Sequence, residues 1–306
     1  GMQRLTSVFP STTSVALTSL YCCSTPAEHG VLGMYQYFAE LGALANMLTY
    51  RTVEASPRPL PPGLLSRRAT LYETLAGLGV PSWVVNAAEY EGSPFSDMLH
   101  RGAAYLGFRT QSEIPYLLEE AIACAGGRRG FYSLYWPGVD MVAHTHGPLS
   151  AAYGGELEHV DLMVGKIAAC CARHGCALVL TADHGQTALR PEQAAHLDGA
   201  VWDRLLRHPP AGGKRAMYWS VADAAAVRRH PLVNSGAVQL VEVGEAVDLG
   251  WLGGGDGGRL GDFIALPGDG VQLLYDYGSG VQEYRGAHAG LSADEMLVPL
   301  VAVPGD

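Results

Sequence analysis

Residues 177–185 read ALVLTADHG, a mainly apolar run that ends directly in Asp183, His184 and Gly185. A run this short, closed by a turn signal, reads as a buried strand. Upstream, residues 150–174 place Leu157, Val160, Met163, Val164 and Ile167 at helical spacing, so a long helix is expected to lead into it. The alternation recurs along the chain: a helical stretch at 71–78 precedes SWVVN at 82–86, another at 113–125 precedes FYSLYW at 131–136, and MLVPLVAV at 296–303 forms a last strand. Helices alternating with apolar strands predict an α/β fold, a three-layer α/β/α sandwich around a mostly parallel sheet. In such folds ligands collect beyond the carboxyl ends of strands.

Between 189 and 280 the texture changes. This stretch holds a polar segment at 207–215, a helix candidate at 221–229, a Gly-rich loop at 250–261 and short strand candidates at 262–266 and 271–277. It is expected to form a small inserted cap subdomain, with 1–188 and 281–306 as the core. The Gly-rich loop lacks GK[ST], so it is no phosphate-binding P-loop. Trp202, Tyr218 and Trp219 read as core packing rather than stacking platforms.

A net charge of −10 argues against binding a nucleic-acid duplex, which calls for a basic face. It does not exclude a small anionic substrate, because bound cations can dominate the local field. No apolar run approaches the ~20 residues of a membrane helix, and the first residues lack the pattern of a signal peptide. Cys22, Cys23, Cys124, Cys170, Cys171 and Cys176 include no CxxC repeat and are read as buried or inert thiols, which suits a cytoplasmic location.

Acidic and imidazole residues gather in three places. Asp140 and His144 follow the strand candidate at 131–136, with His146 close behind; Asp183 and His184 follow ALVLTA; His288 stands in GAHAG just before the last strand. Carboxylate plus imidazole is a donor set for zinc or manganese. Taken singly, each has a plainer reading: an N-capping Asp, an i,i+4 polar pair, a loop histidine. A fourth element, FPSTT at 9–13, precedes a short helix candidate. A hydroxyl there is either a plain N-cap or a nucleophile stabilised by free backbone N–H groups.

These segments together resemble the type I phosphodiesterase/nucleotide pyrophosphatase branch of the alkaline phosphatase superfamily. Its FPT-x-T, helix, TGL-x-P-x-x-HG pattern is similar to FPSTTSVALTSLYCCSTPAEHG at 9–30. Its PD-x-x-GH-x-x-GP is similar to GVDMVAHTHGP, its SDHGM to ADHGQ, and its last GxHG-like motif to GAHAG, all in the family's order. The resemblance implies a phosphate-ester hydrolase, more readily of diesters than monoesters, acting on a small phosphate-ester substrate with two divalent metal ions, zinc or manganese. It implies Thr13 as the nucleophile, with Thr12 a weaker candidate. Asp183 and His184 would hold the metal beside Thr13, and Asp140, His144 and His288 the second, with His146 lining the site.

Two departures stand out. The family opens with a strand ending in a metal-binding Asp, whereas residues 1–12 hold no acid; the sequence is therefore expected to begin late relative to the family. Ala16 stands where the family often has an Asn that hydrogen-bonds the phosphoryl group, so a backbone N–H or Lys214 has to substitute. The missing Asp also motivates the alternative of a catalytically dead, anion-binding or scaffold protein. A sulfatase reading lacks the CxPxR setting around Cys22 and Cys23, and a serine hydrolase reading lacks GxSxG.

Overall fold

The computed structural model describes residues 1–61, 63–65, 68–255, 258–278 and 280–305; residues 256 and 257 of the Gly-rich loop lie outside them. Its centre is the strand Ser82–Ala87, buried at every position. It pairs in parallel with Ala104–Phe108 and Phe131–Leu134. A strand covered on both faces has to be continuously apolar, and SWVVNA nearly is. One face packs Val85 and Phe108 against Ile114 and Leu118 of helix Ile114–Ala125 and Ile167 and Cys170 of helix Ala151–Arg173. The other packs Val84 against Leu17 and Tyr21 of helix Thr13–Cys22, with Tyr72, Phe95 and Leu99. This is the α/β/α layering expected from the sequence.

The sheets are mixed. The parallel pairing expected for most strands is found in the trio around Ser82–Ala87, while Leu178–Thr181 pairs antiparallel with Leu297–Val303, which pairs antiparallel with Met2–Thr6. Helix Ala151–Arg173 buries Met163, Ile167, Cys170 and Cys171, yet Leu157 is 44% and Leu162 59% exposed. The apolar stripe is thus narrower than the spacing suggested.

A seven-stranded antiparallel sheet makes a second layer. It carries Val238–Glu242, Phe263–Pro267, Met217–Trp219 and Ala211–Gly212 from within 189–280, and Tyr35–Phe38, Ala43–Asn46 and Arg51–Thr52 from outside that range. Alternation fixes its faces: Tyr218 and Ile264 enter one core cluster, Met217, Trp219, Phe263 and Ala265 the other, where Trp202 joins them. The expected helix near 221–229 runs Ala224–Arg229, and the strand candidates appear as Phe263–Pro267 and Leu273–Tyr275.

The segment read as polar, 207–215, is partly buried. Arg215 is 3% exposed and makes an ion pair at 3.1 Å with Glu295, itself fully buried. Arg215 also donates to the carbonyls of Gly268 and Val271. Glu295 accepts from the Gly290 amide and the Ser292 hydroxyl. The pair ties the seven-stranded sheet to the GAHAG loop.

Candidate active site

Each acidic or imidazole candidate sits where an element ends. Helix Gly138–His146 follows the strand Phe131–Leu134 and presents Asp140 and His144 one turn apart on one face. Asp183 and His184 leave the strand Leu178–Thr181. The next residue has to be glycine, because a Cβ on Gly185 would lie 2.0 Å from the Asp294 carbonyl oxygen. His288 follows the short strand Gly286–Ala287, and a Cβ on Gly286 would lie 2.6 Å from the Ala143 carbonyl oxygen. Both glycines permit backbones to touch, and that contact brings the three segments together.

The donors converge. His144 Nε2 lies 3.3 Å and His288 Nε2 3.5 Å from Asp140 Oδ1. His184 Nε2 lies 3.3 Å from Asp183 Oδ2. The His184 and His288 rings stack at 3.6 Å. Donor atoms of Asp140, His184 and His288 all fall within 4.8 Å of one another. Thr13, the first residue of its helix, places Oγ1 3.1 Å from His184 Nε2. Thr12 is the buried N-cap behind it and His146 is exposed at the end of its helix.

The hydrogen bonds fix which ring nitrogen faces inward. His144 Nδ1 lies 2.8 Å from the Gly286 carbonyl, His184 Nδ1 3.0 Å from that of Gly185, and His288 Nδ1 2.8 Å from that of Ser11. A carbonyl oxygen only accepts, so each Nδ1 carries a proton and each Nε2 turns to the centre, where it offers a lone pair whenever the ring is neutral. Backbone carbonyls holding Nδ1–H are the usual outer partners of metal-binding histidines.

Electrostatics follow from this arrangement. Burial alone would raise the Asp140 carboxyl, but the His144 hydrogen bond and the nearby imidazoles outweigh it and hold its pKa well below the usual carboxylate range. Burial works to lower His144, and the bond and charge of Asp140 overcome it, so its pKa rises. Burial and the neighbouring His184 push His288 well below its ordinary value. Neutral His288 therefore aims a lone pair at a carboxylate oxygen. Asp183 Oδ2, also beside a histidine Nε2, is buried and has no hydrogen-bond partner. Acceptors facing acceptors in a buried site are costly unless a cation lies between them, and this donor set suits one.

Several neighbours were not singled out from the sequence. Gln186 donates to Asp140 Oδ1; its place directly after DHG was the available signal. Ser11 accepts from His288 through its carbonyl and bonds Gly290 and Ala289 through its hydroxyl. Tyr135 is half-buried near both carboxylates; desolvation, then the charges of Asp183 and Asp140, raise its phenol. Lys214, weighed from the sequence as a substitute donor, sits 3.5 Å over the Tyr284 ring, which lies 4.3 Å from the His144 ring. Burial lowers the Lys214 pKa to about 8 against the opposing charge of Glu283.

Murine ectonucleotide pyrophosphatase/phosphodiesterase 5, solved as an inactive variant with AMP, superposes with a TM-score of 0.74 at 15% identity, covering 98% of this chain and 78% of that one. Phosphonoacetate hydrolase from Sinorhizobium meliloti 1021, solved with phosphonoformate, gives 0.69 at 16% identity, covering 99% and 81%. Over 106 residues the chain is 37% identical to a 2,3-bisphosphoglycerate-independent phosphoglycerate mutase of Gloeothece citriformis; the match spans 33% of this chain and 19% of that relative. No helix among the described residues is long and apolar enough to cross a membrane. Residues 1–291 match the family model for type I phosphodiesterase/nucleotide pyrophosphatase, and the chain belongs to that family.

Proposed function

We propose that this chain hydrolyses small phosphodiesters through a phospho-threonine intermediate on Thr13, at a site for two divalent cations, zinc or manganese. The observation that carries the reading is the set of three imidazoles. Each has Nδ1 committed to a carbonyl and Nε2 turned toward Asp140 or Asp183 beside the Thr13 hydroxyl. Asp183, His184 and Thr13 would hold one cation; Asp140, His144 and His288 would hold the other. Such ions supply a lowered pKa for a bound hydroxyl or water and charge to offset that building on phosphoryl oxygens.

The remaining work falls to the chain itself. The Thr13 hydroxyl donates to His184 Nε2, which fixes its rotamer and orients its lone pairs. The backbone amides of Thr13 and Ser14 have no acceptor among the described residues, whereas those of Val15 and Ala16 bond the Thr12 carbonyl. Free amides at a helix start favour a phosphoryl oxygen. They supply the donor that Ala16 lacks. Lys214, beside the Asp140 half, is placed to meet a second negative charge on the substrate. Structural neighbours hold AMP and phosphonoformate, small anions of the kind such a lysine would favour.

The test is Thr13→Ala assayed on bis-p-nitrophenyl phosphate with zinc or manganese. Turnover should fall by about 10⁴-fold or more, and acid-quenched wild type should carry phosphate on Thr13 by mass spectrometry. Metal-dependent turnover that survives Thr13→Ala overturns the assignment. A folded, metal-loaded wild type inert on every aryl phosphate ester would leave the anion-binding alternative in its place.

A further inference from the structure

A second cluster of metal-type donors lies outside the candidate active site. We infer that Glu119, Cys170 and His174 form a separate zinc-class cation site bridging the helices Ile114–Ala125 and Ala151–Arg173. One donor atom from each lies within 4.8 Å of the others. Cys170 and His174 are four residues apart, on the last turn and cap of one helix, so they share a face. Glu119 reaches them from the other helix, with Oε1 3.4 Å from His174 Nε2.

The burial pattern suits an ion entering from solvent. Cys170 is 1% exposed and anchored in the core cluster with Leu118 and Ile167, while the Glu119 and His174 side chains are 48% and 35% exposed. Thiolate, imidazole and carboxylate together favour zinc or cobalt(II) over magnesium or calcium, and three protein donors leave a coordination position for water. Burial, with the charge of Glu119, raises the Cys170 thiol, so the ion displaces a proton to water when the sulfur binds it. Arg173 competes, since its Nη2 holds Glu119 Oε1 at 2.9 Å. The active-site cluster contains no sulfur, so a thiolate signal separates the two sites.

The experiment is titration of the whole, reduced protein with cobalt(II), followed by thiolate-to-cobalt charge-transfer absorption in the near ultraviolet. The expected result is one equivalent giving the band, with the band unchanged in Asp140→Asn and in Cys171→Ser and absent in Cys170→Ser. His174→Ala and Glu119→Gln, at exposed positions that leave the core intact, should weaken binding by at least about tenfold. Arg173→Ala should tighten it by freeing Glu119, an effect that a merely structural ion pair does not produce. No band in folded protein with titratable thiols, or a band that survives Cys170→Ser or is unmoved by His174→Ala, overturns the inference.

Discussion

Around Asp140, three groups close on one carboxylate oxygen: His144 at 3.3 Å, His288 at 3.5 Å and the Gln186 amide. Around Asp183, one carboxylate oxygen is buried without a hydrogen-bond partner, and its neighbours are His184 and, through it, Thr13. The first half is also braced from outside. Tyr284 packs on His144, Ser11 holds His288, and the Arg215–Glu295 pair grips the loop that carries it. A site whose side chains are locked by a surrounding shell holds its geometry before a ligand arrives. The Asp140 half is preorganised in that sense; under the proposed function, the Thr13 half would be completed by the arriving ion and substrate.

The largest effect should come from the shared carboxylate. Asp140→Asn removes the one charge that both His144 and His288 face. Turnover should fall by about 10³-fold, and metal analysis should show one equivalent fewer per chain. If both equivalents stay bound, the contrast between the halves is wrong.

The next test removes the brace. Glu295→Ala leaves the buried Arg215 guanidinium unpaired, and losing one partner of a buried pair costs about 3–5 kcal/mol. The urea midpoint should fall accordingly. Cations in the Asp140 half should be lost more readily to a chelator, while the Thr13–His184 contact stays in place. A variant of unchanged midpoint would show that the pair does not brace the loop.

Which parts were legible in the sequence follows from range. The strands Ser82–Ala87 and Leu178–Thr181 announce themselves by apolar composition, and helices between them by local period. Asp140, His144, Asp183 and His184 stood out because they follow such strands, and His288 because it stands in GAHAG just before the last one. Pairing of Tyr35 with Gly212, which brings the 35–52 strands into the seven-stranded sheet, depends on partners far apart along the chain. No local pattern encodes it. The roles of Ser11, Gln186 and Tyr284 are equally nonlocal, since each acts through a contact made only in the folded chain. Leu157 misled because period marks a helical face without giving its width.

A smaller effect concerns Lys214. Below about 8 it is charged and above that neutral, with Glu283, the Tyr284 ring and His144 as its neighbours. For a substrate with a second anionic group, KM should therefore rise as pH passes upward through about 8. Lys214→Met should raise KM about tenfold at pH 7, one charge-assisted contact being worth roughly 1.5 kcal/mol, and should flatten that pH dependence. A singly charged diester should respond much less. Equal responses from both substrates would place Lys214 outside the substrate path.

The smallest effect isolates backbone geometry. Ala289 has φ near +100°; the other non-glycine residues with positive φ among the described residues, Cys23 and Tyr50, lie outside the candidate-site loops. It sits between His288 and Gly290, with its amide held by the Ser11 hydroxyl. A Cβ in that region costs about 1–3 kcal/mol, a strain stored beside the braced half. Ala289→Gly relieves it but adds freedom to the unfolded chain worth about 0.5–1 kcal/mol. The balance should be a gain of about 1 kcal/mol in unfolding free energy, read as a higher urea midpoint, with metal content unchanged. If the variant is instead less stable, the entropy term dominates and the loop is held by its hydrogen bonds without appreciable strain. Brace and strain are then separable, and the difference between the two halves rests on side-chain contacts alone.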